Sequence, residues 1–373
     1  MAPRPGPDGP RHSAGERGEV EIQAVSRDWK KPERTASVTW QTPADLTASL
    51  PSAASLSPAT PIVVQFSQSL AKPNAVGWTV RPAVKGTWQT IGPKAFQFTP
   101  SGAGFPPDAQ VTITGPGGAQ GVRGQNNAYL AKTFRGTRAV APGPVARLQQ
   151  WLAALGYLPV AWKRSGSSVA ANSPRVWQPQ SGAFSWRWPA LPTALTALWQ
   201  PGTMKVMTRG ALMQFQWTAG LPVTGVANAA TWAALQSVWL HNRTSPDGYT
   251  YIVASKTRPE SVGLWVNGVK MLTTLSNTGI PATPTYLGTY PIYERLPFQI
   301  MPGANPNGTP YADPVHWINY FRGGDAVHGF VHAHYGFPQS LGCVEVPLSV
   351  APTIYHAVHY GTLVTVLPPG APA

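Results

Sequence analysis

One cysteine, Cys343, follows directly on Gly342, and four histidines, His316, His328, His332 and His334, lie within the 27 residues before it. A thiol becomes a strong nucleophile when a base takes its proton and nearby positive charge stabilises the thiolate. Histidine is the natural base. The oxyanion formed on attack at a carbonyl needs backbone N–H donors, which a glycine just before the nucleophile exposes at a tight turn. A lone cysteine allows no intramolecular disulfide and no cysteine-rich metal site, so Cys343 is either a small buried hydrophobe or a reactive thiol. The histidines show no HExxH or comparable ligand spacing, which argues against a metallopeptidase. No metal or organic cofactor is expected.

The elements that must position these groups read as strands. They are YTYIVASK (249–256), SVGLWVNG (261–268), VKMLTTLSNTG (269–279) and TPTYLGTYPIYER (283–295), with a hairpin expected at Asn267-Gly268 and a closing strand in GTLVTVLP (361–368). A helix is expected from about Ser349 to Val358.

His328-Gly329 is followed 15 residues on by Cys343, within Ser340-Leu341-Gly342-Cys343-Val344-Glu345. Together with TPTYLGTYPI and HYGTLVTV in the same order, this resembles the catalytic domain of the YkuD-type L,D-transpeptidases. That family's pattern is His-Gly, then Ser-His-Gly-Cys, a hydrophobic residue and Asn or Arg. The resemblance implies Cys343 as nucleophile, His328 as general base and the Gly329 carbonyl as the group orienting the imidazole. It also implies Gly342 in the oxyanion-hole region and Ser340 as motif support. Leu341 stands where the family has its second histidine and Glu345 where it has Asn or Arg; His332 and His334 are the nearby candidates to replace that histidine. The implied reaction is a two-step acyl transfer that ends in a 3→3 cross-link between peptidoglycan stem peptides. Competing readings are an L,D-carboxypeptidase, a wall-protein anchoring enzyme and a non-catalytic wall-binding scaffold.

The rest of the chain reads as separate modules. Residues 1–57 are rich in Pro, Gly, Ser, Thr and Ala and are expected as a disordered or linker lead-in. Over 58–138, PIVVQF, GWTV, KAFQFTP and QVTITG alternate with period two between Pro and Gly turns, a β-sandwich signature. The stretch resembles bacterial Ig-like modules. Over 144–237, VARLQQWLAALGYLP and GALMQFQWTAGLPVTGVANAATWAAL resemble the three-helix peptidoglycan-binding module, interrupted by an insertion at 160–205. Leu148, Leu152, Phe215, Leu221 and Trp232 read as its core. The catalytic domain is expected over 249–368. The fold class is therefore multidomain and mainly β, with an Ig-like sandwich, a small three-helix module and a β-rich catalytic domain.

Composition agrees with that class. Apolar residues make up 43%, charged residues only 11%, and there are 41 prolines and 37 glycines, a balance that favours turns and short strands over long charged helices. The net charge of +14 attracts polyanions, but the basic residues are scattered and no nucleic-acid motif is present, so nucleic acid is not the expected partner. The expected partners are stem peptides and glycan strands, with anionic wall polymers as further ones, and the chain is expected to be a monomer. No stretch approaches the roughly 18 apolar residues of a membrane span, and no export signal is legible in MAPRPGPDGPRHSAGERGEV. The expected location is nevertheless extracytoplasmic, at the cell wall or cell surface.

Overall fold

Period-two alternation dominates the folded chain. The computed structural model, which describes residues 16–25, 32–42, 44–52, 55–72, 76–118, 121–125 and 128–372, is accordingly mainly β. The described residues divide into two compact units. The first comprises residues up to Phe105 together with Ala109–Ala141; the second comprises Pro142 onward together with Pro106–Asp108.

In the first unit, β1 (Arg17–Val25) and β2 (Pro32–Gln41) form an antiparallel hairpin. One four-stranded sheet has the order β3-β4-β7-β6, from β3 (Ala48–Ser49), β4 (Ile62–Phe66), β6 (Gly86–Gly92) and β7 (Ala95–Pro100). A three-stranded sheet has the order β5-β8-β9, from β5 (Thr79–Arg81), β8 (Gln110–Gly115) and β9 (Phe134–Ala139). Val64, Phe96, Phe105, Val111 and Ile113 are fully buried. The strands foreseen over 58–138 are present, whereas kinship with Ig-like modules rests on the sequence resemblance alone. The lead-in expectation is corrected for the described part of 1–57. EVEIQAV and TASVTW alternate β-branched with polar residues and pair with each other, and Ala48-Ser49 joins the sheet at β4. Residues 1–15 lie outside the described ones.

The second unit opens with α1 (Val145–Ala154), which ends at Gly156 with φ +86°. The 160–205 stretch holds a hairpin of β10 (Val160–Arg164) and β11 (Gly182–Trp186), a 3-10 turn at Pro174–Trp177 and the short α2 (Thr193–Thr196). It is packed into the module rather than looped out. Val176, Trp177 and Leu195 are buried, the Trp177 ring meets Trp151 edge-on at 5.7 Å, and Arg147 Nε donates to the Val176 carbonyl at 2.8 Å. Two further helices follow, α3 (Val206–Thr218) and α4 (Ala229–Leu240). α4 starts where Asn228 Oδ1 accepts the Thr231 N–H at 2.9 Å. Leu148, Leu152, Phe215 and Trp232 are buried as expected. Leu221 is only half-buried, because it follows the Gly220 turn at the end of α3 instead of lying on a helix face.

Two sheets follow. The five-stranded one has the order β14-β13-β12-β20-β15, from β12 (Thr250–Ser255), β13 (Ser261–Val266), β14 (Val269–Leu275), β15 (Gly288–Pro291) and β20 (Leu363–Leu367). Asn267 (φ +49°) and Gly268 (φ +78°) make the two-residue hairpin between β13 and β14, the turn that Asn-Gly favours because both positions need positive φ. The four-stranded sheet runs in chain order, β16 (Glu294–Ala304), β17 (Pro310–Arg322), β18 (Asp325–Phe330) and β19 (Val344–Pro347). α5 (Ala351–Ala357) follows. Among the described residues no helix is long and apolar enough to cross a membrane.

Candidate active site

β18 and β19 are adjacent and parallel, with Val327 opposite Val344 and His328 opposite Glu345. Successive side chains on a strand face opposite ways, so this register sorts the two strands by chemistry. Val327, Val344 and Val346 enter the apolar core with Ile252, Leu264 and Ile354. His328, Phe330, Cys343 and Glu345 instead line a cavity of about 500 Å³. Sequence separation is thus cancelled by strand pairing, and the candidate base and nucleophile share one cavity. A cleft of similar volume in the first unit, lined by residues that include Lys72 and Arg123, has no thiol or imidazole among the described residues that line it.

The imidazole of His328 is 3% exposed, and its Nδ1 lies 3.2 Å from the Gly329 carbonyl. A carbonyl only accepts, so Nδ1 carries the proton and Nε2 keeps the lone pair. Gly329 is needed for a second reason: a Cβ there would sit 2.7 Å from Ala351 Cβ on α5. Burial lowers the His328 pKa to about 4, partly countered by the Gly329 carbonyl and reinforced by His332. A neutral imidazole at pH 7 is the form a base requires.

The same shift carries a stability consequence. The unfolded histidine charges below about pH 6.5, whereas the folded one resists protonation down to about 4. The resulting stabilisation is complete above pH 6.5 and is lost as pH falls towards 4, by up to about 3 kcal/mol. Thermal melts between pH 7 and pH 4 should therefore fall more steeply for the wild type than for His328→Gln. Parallel curves would show that this histidine does not control the acid limb.

Cys343 is partly exposed, and its thiol donates to the Gly324 carbonyl at 3.6 Å. Desolvation raises its pKa to about 12; an N–H from Ala326 opposes the rise, and Glu345 and Asp325 add to it. At neutral pH the resting pair is therefore thiol and neutral imidazole. Ser340 closes the turn: its hydroxyl donates to the Cys343 carbonyl at 2.6 Å and accepts the Gly342 N–H at 3.2 Å. Gly342 lies in this turn at φ +129°, and a Cβ would come 2.7 Å from Asp325 Oδ1. Since its own N–H is engaged by Ser340, Gly342 contributes conformation rather than a donor.

A clamp that the sequence did not reveal holds the cysteine loop. Glu260, 1% exposed, accepts the Thr278 N–H at 2.8 Å and its hydroxyl at 3.0 Å. The Thr278 carbonyl accepts the N–H groups of Gln339 and Ser340, and Asn277 exchanges two backbone hydrogen bonds of 2.9 Å with Glu345. Of the remaining histidines, His316 sits on β17 against Phe298, and His334 is exposed on the loop. His332 does line the cavity, and its Nε2 lies 2.6 Å from Glu345 Oε2. Leu341, at the family's histidine position, also lines the cavity. Asp313 and Asp325 complete its acidic wall. Among the described residues no group of three or more His, Cys, Asp or Glu is placed to hold a metal ion.

Comparison with known families finds two matches. Residues 249–366 match the L,D-transpeptidase catalytic domain, and residues 200–235 match a putative peptidoglycan binding domain. No curated protein matches significantly. Similar solved structures include the catalytic domain of an Enterococcus faecium L,D-transpeptidase, with 28% identity over 32% of this chain and 96% of that one and a TM-score of 0.29. L,D-transpeptidase 3 from Mycobacterium tuberculosis shows 14% identity over 87% and 98%, TM-score 0.30. An L,D-transpeptidase from Mycobacterium smegmatis shows 12% identity over 87% and 100%, TM-score 0.30.

Proposed function

Because residues 249–366 are an L,D-transpeptidase catalytic domain, we propose that the chain forms 3→3 cross-links in peptidoglycan through an acyl-enzyme on Cys343. The observation that carries this reading is that His328, with its lone pair on Nε2, lines the same cavity as Cys343.

The chemistry follows from the neutral resting pair. His328 Nε2 takes the thiol proton as the sulfur attacks the carbonyl of the L-centre of the third stem residue, so no standing thiolate is required. The oxyanion is left to the Cys343 N–H, because the Gly342 N–H is engaged by Ser340. Collapse breaks the peptide bond, and the imidazolium protonates the departing amine of D-alanine, leaving a thioester. An amine of a neighbouring stem then attacks the thioester carbonyl, and the sulfur departs and regains its proton through His328. The peptidoglycan-binding segment at 200–235 keeps this site near an insoluble polymer and raises its effective concentration there. On this reading the enzyme works at the wall, outside the cytoplasm.

Incubation of the full chain with a tetrapeptide-stem muropeptide should release D-alanine and give a dimeric product of the 3→3 type, read by mass spectrometry. A tripeptide product alone would reassign the protein as an L,D-carboxypeptidase. Folded protein that yields neither product would leave the wall-binding scaffold as the better reading.

A further inference from the structure

Aminolysis of a thioester by a stem amine has a proton problem that hydrolysis lacks. An alkylamine with a pKa near 10 arrives at neutral pH as ammonium, with no lone pair to attack. The balanced step is thioester plus R–NH3⁺ giving amide, thiol and one proton. One acceptor proton reaches the departing sulfur through His328. The other has to be taken before the carbon–nitrogen bond forms, and His328 cannot accept both at once.

We propose that the His332–Glu345 pair is a second acid–base centre, which takes this first proton from a cationic amine acceptor. The proposal rests on the acyl-enzyme reading above and names the acceptor class for that same site. His332 Nε2 and Glu345 Oε2 are 2.6 Å apart, and both residues line the cavity that holds Cys343 and His328. With Nε2–H donating to the carboxylate, the lone pair of the ring is on Nδ1 and is available to a proton. The imidazolium formed is stabilised by the carboxylate it already touches.

The pair is held on several sides. Glu345 is 8% exposed, faces His328 across the parallel ladder, and has its backbone tied to Asn277 on its other edge. The His332 N–H donates to the Tyr335 hydroxyl at 3.1 Å, while the ring lies 5.1 Å from Phe330 and edge-on to Tyr335 at 5.6 Å. Fixed donors and acceptors of this kind avoid reorganisation at the moment of transfer.

The charge around the pair suits an ammonium. The chain carries +14, yet among the described residues the cavity is lined by Asp313, Asp325 and Glu345 and by no lysine or arginine, and Arg322 acts on Asp325 from outside that lining. Such a local inversion of sign concentrates cations where the whole-protein field would repel them. The titratable groups that share the cavity with the pair are Tyr311, Asp313 and Tyr320 from β17, Asp325 and His328 from β18, and Cys343 from the loop, and Tyr335 touches the His332 ring. Burial raises the Glu345 carboxyl and Asp313 adds to the rise, whereas His332 opposes it. His332 would be the proton acceptor, and Glu345 the residue that positions it and balances its charge.

The test compares two acceptors on the donor acyl-enzyme of the full chain at pH 7. One is an alkylamine that is protonated at this pH; the other is methoxyamine, which is already neutral. In Glu345→Gln and in His332→Gln, the ratio of alkylamine to methoxyamine transfer should fall by about 10²-fold relative to wild type. The residual alkylamine rate should rise with pH in proportion to the neutral amine, a dependence that a merely structural role would not introduce. An unchanged ratio, or an equal loss with both amines, overturns the proposal. A wild-type protein that forms no acyl-enzyme would refute the Cys343 reading instead, so the two failures are distinguishable.

Discussion

Cys343→Ala is expected to abolish every covalent adduct with a carbapenem or a tetrapeptide stem, and His328→Ala to slow acylation by about 10²–10⁴-fold. The size of the second effect comes from the state of the thiol. With the pKa pushed up to about 12, the standing thiolate at pH 7 is only about 10⁻⁵ of the enzyme, so in the proposed mechanism nearly all turnover passes through proton transfer to His328. Without that base only the rare thiolate reacts. Acylation by His328→Ala should therefore climb with pH through the alkaline range, while the wild type stays level once pH exceeds the His328 value of about 4. Intact-mass time courses across pH measure both. A His328→Ala profile that kept the wild-type shape would mean that another group takes the thiol proton, and His332 would be the next residue to replace.

Much of this site was legible in the sequence, and the legible part has a common character. A lone cysteine behind a glycine, a His-Gly pair upstream and strands written in alternating residues are local signals. They led to Cys343, to four histidines as candidate bases and to the Asn267-Gly268 turn; the family resemblance then singled out His328 and the Gly329 carbonyl. What was missed depends on pairing between distant segments. Nothing near Glu260 reveals that it would hold Thr278, and through it the turn at Ser340. Glu345 read only as a departure from a motif, because its partner His332 becomes its neighbour only when β18 and β19 pair in parallel. The cavity carboxylates Asp313 and Asp325 were silent for the same reason. In the lead-in, a composition rich in small residues and proline outweighed two alternating runs that were strong enough to pair with each other. Leu221 read as core because it is apolar, but it stands in the turn after Gly220 and is only half-buried.

Gly361→Ala is expected to lower stability by about 3 kcal/mol or more, about 6–12 °C in melting temperature for a unit of this size. Gly361 lies in the turn before β20 at φ +84°, and its Cβ would fall 2.0 Å from the Gly210 carbonyl on α3 and 2.8 Å from the Gln214 nitrogen. Two costs combine there, left-handed backbone and backbone crowding. Gly220→Ala separates them: at φ +68° with nothing within 4 Å of the added carbon, it should cost only about 1 kcal/mol. Gly210→Ala gives a change of sign. In a helix interior alanine normally stabilises by about 1 kcal/mol relative to glycine, but here its Cβ would meet the Gly361 carbonyl at 2.4 Å, so the variant should be destabilised. Equal costs at Gly361 and Gly220, or a stabilising Gly210→Ala, would show that α3 is not seated on the turn. Trp217 on α3 stacks on Tyr360 at 4.5 Å, and Gln214 donates to the Gly248 carbonyl at 3.1 Å. The helix within the peptidoglycan-binding match is therefore part of the support beneath β20, the strand paired with β12 and β15 in the five-stranded sheet. For that reason Gly361→Ala should weaken catalysis together with melting temperature, although Gly361 does not line the cavity that holds the thiol.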